Sequence, residues 1–227
     1  MTRLSPLHID ESLFVVNKPA GMLAQADRTG DPDVVTLGKA WLRDQGAAAP
    51  FLGLVHRLDR PTSGLMVLAR SSDAARSLSR QFRERTVEKT YLAVVEGTLT
   101  GIGTWTDTVA KIDRQPQIVP ADHPEGAYAK LTWQALARAD EQTLLQIQLH
   151  TGRPHQIRLQ SAERGHPVVG DRRYGAVTAL NEAIALHHVQ VRCEHPATHR
   201  GETFAAPLPE YWSRFQAAFA TALDRFA

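Results

Sequence analysis

The sequence predicts an α+β fold, a largely antiparallel β-sheet flanked by helices. Three observations carry that expectation. Short strand-like and helix-like segments alternate along the chain, with no internal repeat, low-complexity tract or long linker. Two neighbouring segments, Lys130 to Ala137 and Thr143 to His150, alternate polar and apolar residues, with Leu145, Ile147 and Leu149 on one face. No GxGxxG or GxxxxGKS/T loop joins a strand to a helix, which argues against a doubly wound nucleotide fold.

In chain order, Leu13 to Val16 is a β-rich run halted by the turn residues Asn17-Lys18-Pro19-Ala20-Gly21. Val34 to Gln45 reads as a helix closed by Gly46 to Pro50. Leu65 to Ala69 reads as a buried strand. Ser71-Ser72-Asp73 caps a helix running to about Arg85, with Ala75, Leu78 and Phe82 on one face. Tyr91 to Val95 is a strand ended by Gly97. The polar loop from Gly101 to Gly126 fits either a ligand-contacting arm or an ordinary exposed hairpin. After the two alternating strands, Thr151-Gly152-Arg153-Pro154 starts a helix with proline near its first turn. Ala185 to Cys193 is a further strand. Trp212, Phe215, Phe219, Leu223 and Phe226 follow helical spacing, an amphipathic tail packed on the sheet.

Composition narrows the class of protein. The chain has 227 residues, 43% hydrophobic and 22% charged, enough for one sizeable core and too apolar for wholesale disorder. A single cysteine forms no internal disulfide. No apolar run reaches membrane-spanning length and no signal core follows Met1, so the expected compartment is the cytoplasm. Of the 26 basic residues five are lysines and 21 arginines, yet the net charge is only +2. A nucleic-acid surface must then be a local patch of arginine forks. Arg70 to Lys89, which includes Arg80 and Arg83, holds six basic against three acidic residues. That composition also fits a solvated helix face. Arg172 and Arg173 form a second patch.

The chemistry concentrates in Val55-His56-Arg57-Leu58-Asp59-Arg60-Pro61-Thr62-Ser63-Gly64-Leu65, a charged turn directly before an apolar strand. Asp59 lies between Arg57 and Arg60 and is expected to be an ionised carboxylate at neutral pH, suited to act as nucleophile or base. Pro61 to Gly64 builds a tight turn that holds it. Taken alone, this segment also fits an Asx-turn aspartate with surface ion pairs.

The string His56 to Leu65 resembles, over ten consecutive residues, the active-site motif of the RluA-type pseudouridine synthases, with Asp59 at the catalytic aspartate position. Further segments match in the same order. They are Asn17-Lys18-Pro19-Ala20-Gly21, Lys89 to Gly97, Gly152-Arg153-Pro154-His155-Gln156-Ile157-Arg158, and Gly165 to Gly175 with its Gly170-Asp171 and Tyr174-Gly175 pairs. Leu186-His187, Glu194-His195-Pro196 and Ala206 to Pro209 complete the match, which spans roughly residues 9 to 212.

The resemblance implies a pseudouridine-synthase-like fold and an isomerase that turns uridine in structured RNA, a stem-loop of ribosomal or transfer RNA, into pseudouridine. It implies that Asp59 is the catalytic carboxylate, that Tyr91 lies against the target uracil, and that Arg158 pairs with Asp59. Arg57 would contact the RNA backbone or fill the space left by the flipped base. Arg60, Thr62, Arg153, His155, Arg80 and Arg83 are further candidates for RNA contact. The reaction is redox-neutral and implies no cofactor and no metal. The chain is expected to be one catalytic domain over residues 1–227, without a separate N-terminal RNA-binding domain, and to act as a monomer with no obligatory protein partner. One departure stands out: Gln160 occupies a position where relatives commonly carry histidine, and it receives no catalytic role.

Three rival readings fit the residues less well. Cys193, His195 and His199, near His187 and His188, suggest zinc but lack a paired Cys/His framework. A glycosidase needs a second carboxylate close to Asp59, and the motif has none. A non-catalytic RNA-binding module would be expected to lack the aspartate.

Overall fold

The computed structural model describes residues 4–181 and 183–226. Its elements, in chain order, are β1 (Pro6–Ile9), β2 (Leu13–Lys18), α1 (Val34–Asp44), β3 (Gly53–Leu54), β4 (Ser63–Ala69), α2 (Ser72–Glu84) and β5 (Glu88–Glu96). There follow β6 (Ile102–Ile112), β7 (Gln115–Val119), β8 (Ala127–Ala139), β9 (Gln142–Leu149), α3 (Gln156–Glu163), β10 (Leu186–Glu194), β11 (Gly201–Ala205) and α4 (Ser213–Leu223). The chain divides into two compact units, Met1–Glu88 with His188–Pro207, and Lys89–His187 with Leu208–Ala227.

In the first unit the strands run in the order β1-β2-β4-β10, with β3 paired to β4 and β11 to β10. The pairs of β1 with β2, β2 with β4, β3 with β4 and β10 with β11 are antiparallel. Leu13, Val15, Leu65, Val67, Val191 and Cys193 form a core closed by Ala74 and Leu78 of α2. Ser71 caps α2 by accepting from the Ala74 N–H, and Arg85 ends it in the left-handed region at φ 62°. Both ends lie where the sequence placed them. Asp33 caps α1 through the Thr36 N–H.

In the second unit the order is β5-β9-β8-β6-β7, and the pairs β5–β9, β8–β9, β6–β8 and β6–β7 are all antiparallel. The segment from Gly101 to Gly126 is a hairpin built into the sheet. β6 pairs with β8 from Ile102 to Val109. Asp113 and Arg114, at φ 49° and 65°, make the two-residue turn to β7. One face of this sheet carries Trp105, Asp107, Val109, Ala129 and Trp133, and α3 packs there through Leu159. α4 packs on β8, with Trp212, Phe215, Phe219 and Leu223 buried.

One boundary differs from expectation. The helix after β9 begins at Gln156, five residues past Thr151, and Pro154 lies outside it. The Gln156 Oε1 accepts from the Thr151 hydroxyl at 2.7 Å and from the Arg153 N–H at 3.1 Å. That side chain folds residues 151–155 into a turn, and His155 enters the helix from the left-handed region at φ 53°.

Candidate active site

In the first unit the segment carrying Asp59 is zipped to the turn that follows β2. The Gly21 N–H donates to Arg60 O at 2.8 Å, and the Arg60 Nε donates to Gly21 O at 2.9 Å. A second Arg60 nitrogen pairs with Asp31 at 2.7 Å. Within the segment, the Thr62 N–H closes a turn onto Asp59 O at 3.1 Å. On the strand side His56 Nε2 accepts from the Val67 N–H at 2.9 Å while its ring stacks on Phe82, centroids 4.6 Å apart. Arg57, Asp59, Arg60 and Thr62 are thus brought onto one fixed turn. Arg57 and Arg60 are exposed and Asp59 is half-buried. Thr62 is buried at 2%, and its N–H closes the turn.

Lys18 binds the two turns from beneath, a role the sequence reading did not give it. It has no solvent exposure. Its ammonium donates to Pro19 O at 2.9 Å, Met22 O at 2.9 Å and Arg60 O at 3.2 Å. Burial pulls it from 10.5 down to about 7, while the Asp59 charge pulls it back up. In its protonated form the amine offers three donors, one for each carbonyl. The signal was present in the Asn-Lys-Pro string: a lysine ending a buried strand needs internal partners.

In the second unit Tyr91 sits on β5 opposite Ile147 of β9, 6% exposed. The other candidates of this unit gather around the start of α3. Arg153 donates Nε to Tyr128 O at 2.9 Å. His155 Nδ1 is hydrogen-bonded to the Tyr174 hydroxyl at 2.7 Å. Arg158, 4% exposed, grips Asp171 by two bonds, Nε to Oδ2 at 2.6 Å and Nη2 to Oδ1 at 3.0 Å. The sequence reading saw Asp171 only as part of a turn motif.

Gln160, also given no role, is fully buried. It accepts from Gln156 Nε2 at 3.0 Å and donates to Asp107 at 2.6 Å. Asp107 in turn pairs with Arg164 at 3.0 Å. The polar residue at position 160 therefore fastens α3 to β6.

Arg80 and Arg83 are exposed on α2, the helix whose Phe82 stacks on His56. The histidines of the zinc reading are drawn to other partners. His195 Nε2 meets Asp10 at 3.1 Å, His199 Nδ1 meets Glu194 at 2.9 Å, and His188 Nδ1 donates to Leu65 O at 2.8 Å. Among the described residues no group of three or more His, Cys, Asp or Glu side chains is placed to hold a metal ion.

With this geometry in place, comparison with known proteins decides the family. The family profile described as RNA pseudouridylate synthase matches residues 12–163, which include Lys18, the Asp59 turn, Tyr91 and Arg158. The chain belongs to the RNA pseudouridylate synthase family. As an RNA pseudouridine synthase it is an isomerase acting on RNA. It is 35% identical over 232 residues to Ribosomal large subunit pseudouridine synthase D of Xanthomonas campestris, covering 95% of this chain and 69% of that one. It is 33% identical over 217 residues to Ribosomal large subunit pseudouridine synthase C of Vibrio vulnificus, covering 90% and 65%. The chain thus spans about two thirds of the length of these relatives. Among solved structures, Human RNA Pseudouridylate Synthase Domain Containing 4 superposes with a TM-score of 0.74 at 25% identity, covering 98% of this chain and 92% of that one. The α+β sheet of this pseudouridine synthase is thereby the family fold. No helix among the described residues is long and apolar enough to cross a membrane.

Proposed function

We propose that this pseudouridine synthase modifies uridines in loops of ribosomal RNA, with Asp59 as its catalytic carboxylate. The observation that carries the role of Asp59 is its turn, zipped to the turn after β2 and tied from beneath by the buried Lys18 ammonium. A carboxylate that attacks or abstracts must be held in place before the substrate arrives. The choice of ribosomal RNA rests on the relatives, which are named ribosomal large subunit pseudouridine synthases. Transfer RNA is the other substrate that the sequence resemblance implies.

In the reaction the bond from N1 of uracil to the sugar breaks, the base turns over, and C5 bonds to the same sugar carbon. C5 gives up its proton and N1 gains one, so atoms balance with no redox change. Asp59 opens this sequence by attacking the anomeric carbon, by attacking C6 of the base, or by taking a proton from the sugar. Tyr91 packs against the uracil and Arg158 is the cationic partner of Asp59. The target base leaves its stack at a cost of a few kcal/mol, which an unpaired loop lowers. Arg57, Arg60, Arg153 and His155 contact the RNA near the flipped base, and Arg80 and Arg83 hold backbone phosphates farther off. In this reading residues 1–227 work as one catalytic domain, as a monomer in the cytoplasm, without an obligatory protein partner.

The test is Asp59→Asn, read by tritium release from C5-tritiated uridine in an unmodified ribosomal RNA transcript. Release should vanish while RNA binding and the circular dichroism spectrum stay as in the unchanged protein. Release at the normal rate would remove Asp59 from the mechanism.

A further inference from the structure

Two segments that are separate in sequence meet as one anchor in the second unit. Arg158 comes from the first turn of α3, and Asp171 and Tyr174 from the turn after Gly170. Asp171 is 2% exposed and takes the Nε edge of the Arg158 guanidinium in a fork at 2.6 and 3.0 Å. The Tyr174 ring lies beneath the same guanidinium, 4.9 Å from its carbon to the ring centroid. The Tyr174 hydroxyl is fixed by His155, the residue that caps α3 three positions before Arg158, at 2.7 Å. Tyr174 also packs against Val109, Ala129 and Leu159. The guanidinium is held by one edge and one face, which leaves a planar group no freedom to rotate.

We infer that Asp171 and Tyr174 are positioning residues for catalysis: they fix Arg158 so that its charge is presented in one orientation. The inference rests on the reading that Arg158 serves the catalytic carboxylate. A buried aspartate here is not simply a counter-ion. An unpaired buried guanidinium would be costly, and a flexible one would lose the geometry on which its effect depends, where about 1 Å of misplacement costs on the order of 100-fold in rate.

The experiment is a double-mutant cycle, read by tritium release from the same ribosomal RNA transcript and by the exchange rate of the Arg158 Nε proton in NMR. Asp171→Asn is expected to lower kcat by about 10-fold or more with KM changed by less than about 2-fold, and Tyr174→Leu to act in the same direction. Combined with Arg158→Ala, neither should slow the enzyme further, because each acts only through Arg158. A purely structural role would add its loss to that of Arg158→Ala. Asp171→Asn should also speed exchange of the Arg158 Nε proton, a readout that needs no turnover. Additive losses, or a slow Nε proton in Asp171→Asn, overturn the inference. Normal activity in both single variants, with Arg158→Ala inactive, overturns it while leaving the role of Arg158 standing. Normal activity in Arg158→Ala instead sinks the reading on which it rests. Where Asp171→Asn fails to fold, the Tyr174→Leu arm of the cycle decides alone.

Discussion

Asp59 depends for its position on a lysine it follows by some forty residues in sequence, and Lys18 gives that dependence a measurable pH signature. Its folded value is about 7 against 10.5 for a free lysine, because burial outweighs the Asp59 charge. Between those values the unfolded chain holds a proton that the folded chain has released. Stability from this group therefore rises with pH across that window and is flat below it. Lys18→Met should abolish the rise, seen as denaturant midpoints at about pH 7 and about pH 9 that differ in the unchanged protein and not in the variant. An identical pH slope in both proteins would show that Lys18 keeps its proton throughout. At Tyr91 the prediction separates ring from hydroxyl. If stacking on uracil is its work, Tyr91→Phe keeps a near-normal rate, and if the hydroxyl moves the C5 proton, the rate falls about 100-fold or more. Single-turnover kinetics on one transcript distinguishes them.

At the level of elements, β4 explains why the Asp59 turn is followed by glycine. Gly64 has φ 117°, and a Cβ there would collide with the backbone nitrogen and oxygen of His188 on the neighbouring strand β10. Gly64→Ala is expected to cost about 4 kcal/mol or to prevent folding, measured by urea denaturation. A loss within about 0.5 kcal/mol would mean that the strands can move apart. Most elements were legible in the sequence. Period-two alternation marked β8 and β9, Ser71 marked the start of α2, and the aromatic spacing marked α4. What the sequence reading lacked was long range. β6 alternates Thr104, Thr106 and Thr108 with Trp105, Asp107 and Val109, yet without β8 in view it reads as a polar loop. The start of α3 was misplaced because Pro154 is a good first-turn residue, and only the folded Gln156 side chain shows the turn ahead of it. The candidate site was legible through motif order. The partners of Asp171 and Lys18 were not, because a buried charge declares its partner only once the chain has folded, although the place of Lys18 at the end of a buried strand already called for internal ones.

At the level of the whole molecule, a net charge of +2 leaves RNA affinity to local arginines. Raising salt from about 50 to about 200 mM should weaken binding by 10-fold or more, and replacing both Arg80 and Arg83 with alanine should reduce the slope of log affinity against log salt by about 1 to 2. An unchanged slope would make that face of α2 an ordinary solvated surface. Turnover should be the same with and without EDTA, and a loss that zinc restores would bring Cys193, His195 and His199 back as ligands. The measurement that bears most directly on the central claim is pseudouridine mapping on unmodified ribosomal and transfer RNA transcripts, treated with the protein or with Asp59→Ala, with no metal or cofactor added. Pseudouridine at one or a few loop positions of ribosomal RNA, absent with Asp59→Ala, is the result expected here. The same pseudouridines made by Asp59→Ala, or none on any transcript with the unchanged protein, would contradict it.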